Sequence, residues 1–137
     1  MNDLSSAPRP SALVVEDEDM LRPLMRETLE DMGFEVLEAD RGDKAIDMVR
    51  SRSEQPIQLL VSDLVLPGMN GLEVGAVFGE LFPSSQILYV SGYAKDLLVF
   101  DDAIDDQRTR FLPKPFTPSK LRSVIEEMLR QKVIALS

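Results

Sequence analysis

Short apolar runs punctuate this chain at regular intervals, and between them apolar residues recur at helical spacing. Ala12-Leu13-Val14-Val15, Leu59-Leu60-Val61, Ile87-Leu88-Tyr89-Val90 and Phe111-Leu112-Pro113 are runs of that kind, each bounded by polar or turn-forming residues. Runs of that length predict buried strands. Phe34 to Ala39 alternates in polarity, which predicts a further short strand. Leu21, Leu24, Met25, Leu29 and Met32 share one face of a predicted helix that Gly33 is placed to stop. Pro23, read as lying past the first turn, is expected to loosen or bend the start of that helix. Ala45, Ile46 and Val49 predict a short helix over Gly42 to Arg50. Leu72, Val74, Val77, Phe78 and Leu81 predict another over Gly71 to Phe82, weakened by Gly75 and Gly79. Lys95 to Asp106 is acidic, with Leu97 to Phe100 bunched together, and predicts a short or irregular helix. Thr117 is placed to cap a last helix, with Pro118 at its first position and Leu121, Val124, Ile125, Met128 and Leu129 on its apolar face. Strand and helix thus alternate five times. The α/β class follows, with a five-stranded parallel sheet doubly wound by helices on both faces. Residues 1–11, polar and Pro-rich, form a flexible lead-in, and residues 12–135 form the domain.

Composition narrows the chemistry. The 137 residues are one domain's worth, and 44% apolar content is enough for a packed core. A net charge of −9 argues against direct nucleic-acid binding or an anionic membrane surface. Without Cys there are no disulfides, thiolate nucleophiles or cysteine metal sites. Without His there is no Ser-His-Asp triad and no phosphohistidine on this chain. No signal peptide or stretch of transmembrane length is visible, so the expected location is cytoplasmic.

Four strand ends carry the candidate chemistry. Asp63 closes the third predicted strand and is followed by Pro67-Gly68-Met69-Asn70-Gly71, a loop signal. Glu16-Asp17-Glu18 closes the first predicted strand, Ser91 the fourth, and Lys114 follows Phe111-Leu112-Pro113. In open parallel sheets ligands bind outside the carboxyl ends of the strands, so these residues are expected to share a pocket. Clustered carboxylates repel unless a cation relieves them; Glu16, Asp17 and Asp63 therefore either hold a hard divalent ion, with Mg²⁺ favoured, or sit apart. Beside such an ion Asp63 is a candidate nucleophile toward a phosphoryl group. Lys114 and the Ser91 hydroxyl would hold phosphoryl oxygens, and Gly92 leaves room for the group to approach. Singly, each residue has a plainer explanation: a solvated loop acid, a surface lysine, a turn serine. Glu16 to Asp19 could simply complement the N-terminus of the first helix.

From Ser11 to Ile134 the chain resembles the receiver domain of two-component response regulators, of the chemotaxis-regulator kind. The resemblance rests on Leu13-Val14-Val15-Glu16-Asp17, Ser62 to Gly71, Tyr89 to Ala94 and Phe111-Leu112-Pro113-Lys114-Pro115-Phe116. It implies the (βα)5 flavodoxin-like receiver fold and phosphorylation of Asp63. It implies Mg²⁺ held by Glu16, Asp17, Asp63 and the Val65 carbonyl, with Asp17 favoured as the direct ligand. It also implies catalytic roles for Asp63, Ser91 and Lys114, a switch through Ser91 and Phe111, and a cis Lys114-Pro115 bond. Val65 and Tyr93 would tune loss of the phosphoryl group. Glu16 in place of the commoner Asp, and Ser91 in place of Thr, are mild departures. The implied partners are a histidine kinase or histidine phosphotransfer protein and a downstream protein; the chain is no enzyme beyond its own phosphorylation and dephosphorylation. Taken as complete it is a stand-alone regulator; the alternatives are a receiver excised from a hybrid histidine kinase and an unphosphorylated pseudo-receiver.

Three other uses of the same elements fit less well. A haloacid-dehalogenase-type phosphatase would share Asp17-Glu18-Asp19 but has Thr or Val where Leu21 stands. A flavodoxin-like electron carrier needs a phosphate loop that the acidic Glu16 to Asp19 run would repel. An Asp-x-Asp nuclease fails at Val65.

Overall fold

The computed structural model describes residues 9–92 and 108–136, with side chains through 130. Five strands form one sheet: β1 (Ser11–Val15), β2 (Glu35–Ala39), β3 (Leu59–Asp63), β4 (Gln86–Ser91) and β5 (Thr109–Pro113). Every neighbouring pair is parallel, and the order is β2-β1-β3-β4-β5. Four helices are described, α1 (Leu21–Asp31), α2 (Gly42–Arg50), α3 (Gly71–Leu81) and α4 (Pro118–Leu136). The segment Lys95 to Asp106, with its expected irregular helix, and Tyr93 lie outside the described residues.

The two-residue period of a strand divides the core into two layers. Leu13 and Val15 of β1 face a cluster with Val49 of α2 and Val74 and Phe78 of α3. Ala12 and Val14 face the other cluster, with Met25 and Leu29 of α1 and Leu121, Ile125 and Met128 of α4. Burial on both faces is why the strands read as continuous apolar runs rather than alternating ones. The two edge strands are less completely covered: in β2 Glu35 is exposed and Val36, Leu37 and Glu38 are half-buried, and in β5 Arg110 and Phe111 are half-buried and Pro113 is exposed.

Three local expectations need correcting or completing. Ser11 belongs to β1 rather than to the lead-in: its N–H donates to Gln58 Oε1 at 2.6 Å and its carbonyl accepts from Gln58 N at 2.9 Å. Pro23 lies within the first turn of α1, where a backbone N–H has no intrahelical partner anyway, so the helix runs unbroken through it. Gly33 does stop α1: it takes φ +100°, and the Phe34 N–H returns to the Leu29 carbonyl at 3.1 Å.

Candidate functional site

Parallel register brings the polar strand ends to one level. Val15 pairs with Ser62, so Glu16, the next residue along, stands beside Asp63. Asp63 pairs with Val90, and Ser91 pairs with Pro113, which puts Lys114 just past the end of β5. β5 is separated from β3 by β4, and the four-carbon lysine stem spans that gap. Lys114 Nζ lies 2.6 Å from Asp63 Oδ2, 3.0 Å from Glu16 Oε1 and 3.4 Å from Glu18 Oε2. The Lys114–Pro115 peptide is cis, and the Lys114 N–H donates to the Ser91 carbonyl at 2.8 Å.

The carboxylates are held apart from bulk water to different degrees. Glu16 is fully buried and Asp63 is 6% exposed, whereas Asp17 is exposed. Oxygens of these three residues lie within 4.8 Å of one another, close enough to share one ion. Asp63 Oδ1 accepts from the Val65 N–H at 2.9 Å, and Glu16 Oε2 from the Glu18 N–H at 3.1 Å. Glu16 Oε1 is buried without a well-formed hydrogen bond. Burial pushes the Glu16 carboxyl up to about 7; the Glu18 N–H opposes this, the Asp63 charge adds to it, and Lys114 opposes it. Burial alone would lower the Lys114 pKa, but its bond to Asp63 and the nearby Glu16 carboxylate outweigh that and raise it. An all-oxygen set with an under-satisfied buried carboxylate suits a hard divalent cation such as Mg²⁺. The cleft in front of this set, about 410 Å³, is lined by Asp17, Glu18, Asp63, Val65, Gly92 and Lys114.

Ser91 is buried at the end of β4 and Val65 is 48% exposed at the cleft's rim. Phe111 is half-buried on β5 opposite Tyr89 and packs against the α2–α3 side of the core. Glu16, Asp17, Asp63, Val65 and Lys114 are thus brought together. Ser91 stands next to them, and Phe111 lies two residues back along β5. The acidic run does not cap α1: Met20 occupies the N-cap without a side-chain bond, and no acid lies in the first turn.

Two contributors escaped the sequence reading. Gly71 opens α3 so close beneath β3 that a Cβ there would meet the Asp63 carbonyl. Arg22 reaches back from α1 to the Glu16 carbonyl at 2.8 Å. For Gly71 the Asn70-Gly71 pair was a usable signal; for Arg22 only tertiary contact shows the role. A second cleft of about 400 Å³ lies at the opposite end of the strands, around Ile57, Gln58 and Phe82, and no ionisable side chain lines it.

Comparison with known proteins agrees with this fold. Residues 12–126 match the family described as the response regulator receiver domain. The response regulator receiver protein CpdR of Brucella abortus is 34% identical over 85% of this chain and 94% of its own length. The sensor kinase CckA of Brucella abortus is 32% identical over 89% of this chain, which spans only 13% of that kinase. The crystal structure of a response regulator receiver protein from Sinorhizobium medicae superposes with a TM-score of 0.78. That match has 31% identity and covers 90% of this chain and 96% of that one.

Proposed function

The chain belongs to the response regulator receiver domain family, and from that premise we propose that Asp63 accepts a phosphoryl group from a phosphohistidine on a partner kinase or phosphotransfer protein. The observation that carries this reading is the lysine-bound carboxylate: Asp63 Oδ2 lies 2.6 Å from Lys114 Nζ, beside two further acids that can share an ion with it. An Asp63 oxygen forms a bond to phosphorus as the phosphorus–nitrogen bond of the donor breaks. The electron pair leaves with the imidazole nitrogen, which takes up a proton. This chain has no His of its own, so the imidazole comes from the partner. Glu16, Asp17, Asp63 and the Val65 carbonyl would hold Mg²⁺, which would supply charge neutralisation at the phosphoryl oxygens. Lys114 then exchanges its contact with the Asp63 carboxylate for one with a phosphoryl oxygen, and the Ser91 hydroxyl donates to another. Movement of Ser91 toward the group, with Phe111 turning inward, shifts the population toward a state that a downstream protein binds. Hydrolysis resets the domain, so the chemistry is a switch cycle on one residue and not substrate turnover.

Intact-mass spectrometry after incubation with acetyl phosphate tests the reading, with and without Mg²⁺, on wild type and Asp63→Asn. One Mg²⁺-dependent phosphoryl adduct that the variant lacks is expected; equal labelling of Asp63→Asn would sink the assignment. If wild type takes up no phosphoryl group, beryllofluoride-induced NMR shifts separate a donor-restricted receiver from a pseudo-receiver. The CpdR match, which spans 94% of that protein, supports a regulator acting as a single domain, and the CckA match supports a second reading as part of a hybrid kinase. An immunoblot of the source cells decides between them: a band at the mass of 137 residues supports the first, a much larger band the second.

A further inference from the structure

The Glu16–Asp19 turn holds four consecutive carboxylates, and mutual repulsion should splay it. Arg22 ties it together from both ends. Nη1 donates to the Glu16 carbonyl at 2.8 Å, and Nη2 donates to Asp19 Oδ1 at 2.8 Å. The backbone N–H of Arg22 bonds the Glu18 carbonyl at 3.0 Å. Glu38 of β2 lies 3.8 Å from Arg22 Nε, which supports the guanidinium from behind. The Glu16 carbonyl lies beyond the last rung of the β1–β3 ladder, and Arg22 satisfies it there. The arginine side chain is only 19% exposed, and its bond to the Glu16 carbonyl is partly buried, whereas its bond to Asp19 faces solvent. A planar fork can serve a carbonyl and a carboxylate at once; an ammonium is a point charge without that geometry.

We propose that Arg22 is a positioning residue for the acidic turn: it holds Glu16 and Asp17 in the arrangement that faces Asp63, and so sets divalent-cation affinity without touching the cation. The inference rests on the phosphoacceptor reading of that pocket. Charge alone predicts the opposite sign, because removing a cation from beside carboxylates should tighten divalent binding. Geometry and charge are therefore separable. Arg26 supplies the control: one turn further along α1, it pairs with Glu38 at 3.3 Å and Glu30 at 3.7 Å. The contacts found for it do not include the acidic turn.

The test is calorimetric titration of the full chain with Mg²⁺, for wild type, Arg22→Lys, Arg22→Gln and Arg26→Gln, with urea midpoints in EDTA as the stability reference. Residues that orient metal ligands typically change affinity by about 10- to 100-fold. Arg22→Lys, which keeps the charge, should weaken Mg²⁺ binding about tenfold, and Arg22→Gln should also weaken it. Arg26→Gln should lower the urea midpoint yet bind Mg²⁺ as wild type does. Amides of Asp17 to Met20 should exchange faster with solvent in metal-free Arg22→Lys. Wild-type affinity in Arg22→Lys together with tighter binding in Arg22→Gln would overturn the proposal and leave Arg22 a simple counter-charge. Equal weakening in Arg26→Gln would overturn it too, as a general stability effect. If Arg22→Gln does not fold, the charge-preserving Arg22→Lys still decides. Should wild type neither bind Mg²⁺ nor accept a phosphoryl group, the phosphoacceptor reading itself falls. If wild type does both and Arg22→Lys matches it, only the assignment to Arg22 falls.

Discussion

Removing the Lys114 ammonium leaves Asp63 and Glu16, both buried, without their shared counter-charge. Unsatisfied buried acceptors cost about 1–3 kcal/mol each, so Lys114→Ala should lower the urea midpoint in EDTA. Mg²⁺ should recover part of that loss, because the cation supplies the missing charge. The variant should therefore still bind Mg²⁺, but phosphorylation should no longer be coupled to the conformational shift. A wild-type pattern of phosphorylation-dependent NMR shifts in Lys114→Ala would show that the lysine has no part in the switch. At this scale the identities of Asp63, Glu16, Asp17 and Lys114 were legible from strand-end position alone. What the one-dimensional pattern hid was the sharing. Lys114 contacts three acids at once, Glu18 among them, and Arg22 reaches a carbonyl six residues back. Both arrangements depend on where side chains reach after the loops close.

Helix α3 shows why an element can contain residues that its own propensity disfavours. Glycine costs about 1 kcal/mol relative to alanine in a helix interior, and the sequence marks Gly75 and Gly79 as weaknesses. The Tyr89 ring of β4 packs so tightly against Gly75 that a Cβ there would collide with its hydroxyl. Gly79 likewise lies against the Arg108 guanidinium. At Gly75 the Tyr89 ring thus takes the space a side chain would fill, and Gly71 at the helix start lies against the backbone that carries Asp63. Gly75→Ala should destabilise the protein by about 1–3 kcal/mol, as overpacking does, despite its better helix propensity. Combined with Tyr89→Leu it should cost less than the sum of the two single changes. Additive costs by urea denaturation would show that the ring and the helix do not compete for the same space. Pro23 teaches the converse: its helix starts at Leu21, and that start, not the residue type, decides whether a proline interrupts it.

Over the whole molecule, a net charge of −9 is concentrated locally by four acids after β1 and one at the end of β3. Without a cation these repel, so the domain should be measurably stabilised by a divalent ion beyond ordinary screening. At a Mg²⁺ concentration one hundred times its Kd, linkage predicts about 2.7 kcal/mol. Thermal midpoints should accordingly rise more in MgCl₂ than in NaCl of equal ionic strength; equal rises would mean that the acids bind no specific ion. Among the described residues no helix is long and apolar enough to cross a membrane. The sequence by itself determined the alternation of strands and helices and which strand ends carry acids, hydroxyl and lysine. Those properties are local, set by side-chain period and by the residues that terminate each run. Only the tertiary structure decided that β1 and β3 are neighbours, that β5 lies one strand removed from Asp63, and that Lys114 nevertheless reaches it. Strand order depends on how two apolar faces are covered at once, one by α2 with α3 and the other by α1 with α4 from opposite ends of the chain, and no short window of the chain contains that information.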